Sequence, residues 1–234
     1  LAGGRVALLG GYVDATDYLD VYALASPWTG FLNFAFSTGT TTLAVPEVGF
    51  GLAAGAMLTD NVFLIGGVSD LNSDPTDPWQ TVDSFFTEHE YFKHIEIGWT
   101  PSQEQIYLDN VHLTLWHADE REEAAQPAGW GANLSWTTYL AGRWLPFVRA
   151  GYAEDGGSLT QTSVSIGFGY QPNPGKNLFG LGLNWGEPNE DTWGPGRRDQ
   201  YTVELFYRWQ ISKAIAVTPD LQYVKNPALN PDTD

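Results

Sequence analysis

The stretch Tyr201-Thr-Val-Glu-Leu-Phe-Tyr-Arg-Trp-Gln210 decides the fold. Side chains of a β-strand alternate, so Tyr201, Val203, Leu205, Tyr207 and Trp209 share one face and Thr202, Glu204, Phe206, Arg208 and Gln210 the other. Alternation alone is neutral about solvent, because a soluble sheet also has an apolar side and a polar side. The ends break the tie. The apolar row opens on Tyr, closes on Tyr and Trp and carries aliphatics between, which is how a lipid-facing strand meets two headgroup zones. The stretch therefore reads as a transmembrane strand, with Glu204 and Arg208 directed into a water-filled lumen. These two lie ~13 Å apart along one strand, so their partners are expected on adjacent strands.

Alternating runs of similar length recur from end to end: 5–13, 47–58, 62–69, 90–99, 106–117, 129–137, 143–152, 161–171, 178–185, 201–210 and 214–224. No segment reads as a convincing helix, and so many strands exceed what a single open sheet holds comfortably. Short connections (59–61, 100–105, 138–142, 172–177, 211–213) alternate with long ones (70–89, 118–128, 153–160, 186–200). Strict alternation puts every tight turn at one end of the strands, the plan of an outer-membrane barrel with short periplasmic turns and long external loops. Threaded in this way, Trp99, Trp136, Trp144 and Trp209 sit by the short turns and Trp130 and Trp185 by the long loops, making two aromatic girdles. A sandwich core capped by Trp would not sort them by turn length. The second face of several strands (Gly49, Gly51, Ala53 and Gly55; Ser163, Ser165, Gly167 and Gly169) is too small and polar for a dry core. Lys93 is an exception on an apolar row and is expected to snorkel or to face a neighbouring surface.

Composition narrows the alternatives. Two hundred and thirty-four residues suffice for one large all-β unit, and no run of ~18 apolar residues is present to form a transmembrane helix. Eleven Lys and Arg against 28 Asp and Glu give a net charge of −17, which argues against nucleic acid as a partner. Absence of Cys rules out disulfides and thiol-ligated metals; no cofactor or metal site is implied, since the acidic loops lack calcium-loop spacing. The acids of those loops (Asp70, Asp74, Asp77, Asp83 and Glu88; Asp119, Glu120, Glu122 and Glu123; Glu187, Glu190 and Asp191) read as a solvated surface, with a divalent-ion bridge to lipopolysaccharide as the alternative. Their Asp-Pro pairs read as turn-formers. The chain opens inside a strand-like run, so a piece of a longer secreted precursor is expected.

Residues 14–46 are too long for an ordinary loop and contain the semi-apolar patch Phe31-Leu-Asn-Phe-Ala-Phe36. The expectation is a segment folded into the lumen that narrows it and brings Asp14, Asp17, Asp20, Trp28 or Asn33 to the pathway. A surface loop packed on its own aromatics is the alternative. The whole chain, 1–234, reads as one outer-membrane β-barrel domain, antiparallel and partial, with 14–46 as its long loop.

At this point the sequence resembles the carbohydrate-selective porin family of the OprB type. The likeness is carried by Glu204-Leu-Phe-Tyr-Arg-Trp-Gln-Ile211, Val217-Thr-Pro-Asp-Leu-Gln-Tyr-Val224 and Asn226-Pro-Ala-Leu-Asn-Pro231, then by Pro146-Phe-Val-Arg-Ala-Gly-Tyr152 and more loosely by Gly11–Asp14 and Tyr18–Asp20. It implies a sixteen-stranded barrel in the bacterial outer membrane that passes sugars by passive diffusion. Members of the family carry further strands before and after the part matched here, so this chain is expected not to close a barrel alone. Pro219 interrupts a strand that has no edge in a closed barrel, and a bulge that re-aims Asp220 inward is expected there.

The inward rows collect His94, Glu96, Asn110, His112, Asn133, Arg149, Glu204, Arg208, Asp220 and Gln222. Mixed charges and amides around water suit a sugar, whose hydroxyls both donate and accept. Arg149, Arg208, Glu204, Glu96, His94, His112, Asn133 and Asp220 are therefore the candidates for the substrate pathway. The alternative is that the charged members form wall ion pairs and never touch sugar. Partners expected besides small sugars are outer-membrane lipid and lipopolysaccharide, with a homotrimer left open as the assembly. A general or cation-preferring porin is the rival function. A hydrolase is disfavoured because no nucleophile motif, metal-ligand spacing or triad occurs, and a soluble lectin-like sandwich would be recovered without detergent.

Overall fold

The computed structural model describes residues 2–37 and 41–228; three residues of the 14–46 segment and the end of the Asn226–Pro231 motif lie outside them. The strands are β1 (Val6–Val13), β2 (Gly49–Met57), β3 (Val62–Asp70), β4 (Tyr91–Trp99), β5 (Asn110–Ala118), β6 (Gly129–Thr137), β7 (Trp144–Glu154), β8 (Thr160–Tyr170), β9 (Leu178–Pro188), β10 (Gln200–Gln210), β11 (Ala216–Val217) and β12 (Asp220–Lys225). Each strand from β1 to β10 pairs antiparallel with its neighbours in sequence, and β11 and β12 both follow the free side of β10. No helix among the described residues is long and apolar enough to cross a membrane, a statement that leaves strands untouched.

The two faces of this sheet meet different surroundings. Leu134, Ile166, Leu183 and Leu205 stand exposed on one face, while Asn133, Ser165, Asn184 and Glu204 are buried on the other. Water would favour the reverse; hydrocarbon outside makes the arrangement favourable. Trp99, Trp136, Trp144 and Trp209 project outward by the short turns, and Trp130, Tyr152 and Tyr201 by the long connections. Lys93 reaches outward from β4 near the long-connection end, where its Nζ meets Asp119 at 2.6 Å. The charge thus carries its own counter-ion.

Several expectations need correction. A helix, α1 (Pro78–Thr87), occupies the β3–β4 connection, and a short α2 (Glu190–Trp193) occupies β9–β10. Asp77 caps α1 by accepting from the N–H groups of Trp79 and Gln80, with Pro78 beginning the helix. The Asp-Pro pair taken for a turn is thus a cap followed by a first-turn proline. Short and long connections do not alternate strictly either. Residues 155–159 alone join β7 to β8, because Ala153 and Glu154 continue the ladder against Gly131 and Trp130; the turn from β4 to β5 is longer and takes residues 100–109. Pro219 makes no bulge. Two residues on each strand separate the pairs Trp209–Val217 and Phe206–Asp220, so the register runs through unchanged. Pro219 accepts at its carbonyl from Tyr207 N at 3.1 Å, and only its missing donor leaves a gap, on a strand with β10 as its one described partner.

The sheet is curved. Asp20 bonds residues of β4, β5 and β7 at once, strands that would span ~14 Å in a flat sheet. Among the described residues β1 pairs only with β2, and β11 and β12 only with β10, so the curve does not close.

An outward row in hydrocarbon makes a direct prediction. Ile166→Arg costs about 2–4 kcal/mol near the bilayer midplane, and the expected outcome is loss of the folded, heat-modifiable form from the membrane fraction. Assembly equal to that of the unmodified protein would show that the row does not face lipid.

Candidate functional site

Residues 14–37 and 41–46 enter the concave side of the sheet and are held there by buried charge. Asp20 is the centre. Its Oδ2 accepts from Arg149 Nη2 at 2.8 Å, its Oδ1 lies 3.0 Å from His112 Nε2, and its backbone N–H donates to Glu96 Oε2 at 2.8 Å. Arg149 also donates to the backbone oxygen of Asp20 at 2.9 Å and to that of Phe36 at 3.4 Å. Glu96 Oε2 accepts in addition from Thr114 at 2.6 Å, and His112 Nδ1 lies 3.1 Å from Asn110 Oδ1. Asp20 adopts a left-handed backbone, φ 56, a conformation costly for a residue with a side chain unless its surroundings impose it. Here three strands do so.

Alternation explains why these groups converge. Glu96 and Thr114 are cross-strand partners on β4 and β5, and His112 and Arg149 occupy inward positions on β5 and β7. Opposite charges this close, each at most 2% exposed, repay their dehydration only through such directed bonds. Tyr22 covers the site: the guanidinium carbon of Arg149 lies 4.4 Å from its ring centroid, and its hydroxyl donates to Phe36 O at 2.7 Å. Burial raises the Tyr22 phenol above its ordinary pKa, with Arg149 opposing, so it stays a donor.

A second anchor lies on β10. Glu204 accepts the N–H of Leu32 at 2.6 Å and of Asn33 at 2.9 Å, one with each carboxylate oxygen. Its N–H donors are therefore on the inserted segment, while the Asp220 carboxyl on the adjacent β12 lies beside it. Asn33 continues the contact by donating to Gln222 on β12 at 2.9 Å. Between the anchors, Thr42 donates to Asn133 on β6 at 2.8 Å, and Ser165 on β8 donates to Ala35 O at 3.0 Å. Phe31 and Phe36 pack with Tyr22, Phe147 and Phe206 in one apolar cluster, while Leu19 and Leu43 join Phe92 and Trp116 in another. The small inward residues have a definite use. A Cβ on Gly182 would come within 2.8 Å of the Phe36 ring, and one on Gly180 within 2.1 Å of Phe206. They admit aromatic rings, where the sequence had pointed to space for water.

The remaining candidates are distributed unevenly. His94 is buried between Tyr18 and Phe92, each ring 5.6 Å away, and its nitrogens find no hydrogen-bond partner among the described residues. Arg208 is half-buried near the short-turn end, apart from the Asp20 cluster. Asp220 faces inward and accepts from Gln222 at 2.9 Å. Asp14 caps a short 3-10 turn through Thr16, Asp17 is exposed, and Trp28 is 89% exposed. Tyr22 and Thr114 were missed, although Thr114 shares the inward parity of His112 and was legible on that ground.

An outward apolar face with aromatic belts, wrapped around an inserted polar-anchored segment, defines an outer-membrane porin, a channel protein and not an enzyme. Residues 122–234 match the model of the carbohydrate-selective porin, OprB family. Among solved structures, the high-pH structure of Pseudomonas putida OprB is similar over 98% of this chain and 67% of that one, with a TM-score of 0.71 and 14% identity. A triple mutant of Rh. blastica porin aligns over 94% of this chain and 68% of that one, with a TM-score of 0.48 and 14% identity. No curated protein matches the chain.

Removing one member of the central pair tests the anchoring. Arg149→Met takes the guanidinium from the buried Asp20 carboxylate and is expected to cost about 3–5 kcal/mol, read as lower thermal stability and faster proteolytic nicking within residues 14–46. Asp20→Asn combined with Arg149→Met should cost less than the two single changes added together.

Proposed function

We propose that this chain forms wall and constriction of a passive channel for small sugars in the outer membrane, with residues 14–46 setting the width. The observation that carries the reading is the double anchoring of that segment, by Arg149 on β7 and Glu204 on β10. A channel that selects by size needs a constriction that does not wander, and buried charge-assisted hydrogen bonds supply it. In this reading Arg149, Glu96, His112, Asn133 and Glu204 act by holding the constriction, and solute passes along the segment's free side. Arg208, Asp220, His94 and the segment residues Asp14, Asp17, Asp20, Trp28 and Asn33 are proposed contributors to the pathway or its shape. Small sugars fit such a passage because their hydroxyls exchange hydrogen bonds with water and with fixed amides at little net cost.

The outer face is proposed to meet lipid directly, with Lys93 and Asp119 at the depth of lipopolysaccharide headgroups. One observation favours a second reading, a cation-preferring porin. A polar cavity of about 610 Å³ at the long-connection end is lined by Glu47, Asp74, Glu88 and Glu123, acids that raise the local cation concentration.

Liposome swelling and reversal potentials separate the two. The sugar reading expects faster swelling with monosaccharides than with disaccharides and modest ion selectivity; Glu204→Gln, which weakens one anchor, should bring the two rates together. Strong cation selectivity without any discrimination among sugars would defeat it.

A further inference from the structure

One part of the inner wall differs in kind from the rest. Inward positions on β4 through β10 mix charges, amides and hydroxyls with the rings of Phe92, Trp116, Phe147 and Phe206, and the described residues of 14–46 cover them. Inward positions on β1 to β3 carry Ala7, Leu9, Ala53, Gly55, Met57, Phe63 and Ile65, placed together by the pairs Ala7–Gly55, Leu9–Ala53 and Gly55–Ile65. Among the described residues the segment leaves Ala7 and Leu9 exposed and Ala53 and Ile65 partly exposed, while Met57 and Phe63 are buried at the margin of the face. A cavity of about 390 Å³ lies over it, bounded by Tyr18 from the segment and by Gln103, Ile106 and Tyr107 from the β4–β5 turn. Leu9 stands 46% exposed in it, on the inner side of the sheet. A lumen wall exposed only to water and simple sugars has no need of such a surface, since uncovered Leu and Ile there are unfavourable. A pocket of a few hundred Å³, mostly apolar with a few polar groups at its rim, is the ordinary form of a site for a small molecule carrying an apolar ring.

We propose that this cavity is a subsite for sugars that bear an apolar ring, of the aryl glycoside class. The ring lies against Leu9, Ala53 and Ile65, and the sugar stays toward the Tyr18 and Tyr107 side. This rests on the sugar-channel reading and extends it to a second class of solute. Binding must remain weak, because a tightly held solute would stop flux.

The probe is phenyl β-glucoside, compared with glucose in liposomes that contain the reconstituted protein. Expected is a phenyl glucoside flux that saturates and slows glucose when both are present. In Ala53→Asp, which puts a carboxylate against the ring, the ratio of phenyl glucoside to glucose flux should fall roughly threefold or more. Ile65→Asn removes apolar surface without adding charge and should lower the same ratio by less; it serves if the Asp variant does not assemble, as judged by heat-modifiable migration. Flux of both solutes with a ratio that neither variant changes would overturn the subsite and leave the sugar channel standing. Absence of glucose flux in the unmodified protein would instead overturn the channel reading.

Discussion

In hydrocarbon a backbone N–H or C=O has no water to turn to, and every other feature of this protein is arranged around that constraint. It explains why the strands from β1 to β10 pair with their neighbours in sequence: the antiparallel meander satisfies the backbone groups between paired strands and needs only local connections. It also explains why side chains that a soluble sheet would hide, such as Leu134 and Ile166, stand exposed. The outer face is covered by solvent of its own polarity, so the protein has no need to build a second layer there.

The inner face faces the opposite problem. Its charges would be well solvated by water, yet Arg149, Glu96, His112 and Glu204 are nearly or wholly buried. Dehydrating four ionisable side chains is costly, and the inserted segment offsets that cost with directed donors and acceptors: the Asp20 carboxylate for Arg149 and His112, and the backbone N–H groups of Asp20, Leu32 and Asn33 for the two glutamates. Wall and segment therefore specify each other. The apolar clusters around Phe31 and Phe92 add burial without direction, whereas the charged contacts fix position.

Much of this was legible in sequence because a period of two is written residue by residue. Glu204 against Leu205, or Arg149 against Val148, declares its face without knowledge of any partner. What the period does not carry is contact across the interior. That Glu204 would find Leu32 and Asn33, 172 and 171 residues away, depends on how the sheet curves and where the segment turns. For the same reason inward glycines look like empty space in sequence: alternation reveals that Gly167 and Gly169 point inward, but not that the side chains of Phe147 and Leu24 lie over them. The Asp77-Pro78 pair failed differently, since a turn and a capped helix begin with the same residues and only the continuation through Phe85 distinguishes them.

The way the segment is attached bears on what the protein can vary. Strand pairing commits many backbone groups together, so a shift of one residue would turn a whole lipid-facing row inward. The described residues of 14–46 instead touch the sheet mainly through scattered side chains on β4 to β10 and on β12, with one backbone bond, from Thr160 N on β8 to Thr41 O. Exchanging one anchor can therefore re-aim part of the constriction while the hydrogen-bonded wall keeps its register. A stiff wall with a separately fastened insert lets lipid compatibility and solute selection be met by different residues. The apolar inner face of β1 to β3, outside the reach of every anchor, is where that separation leaves the interior free to take a chemistry of its own.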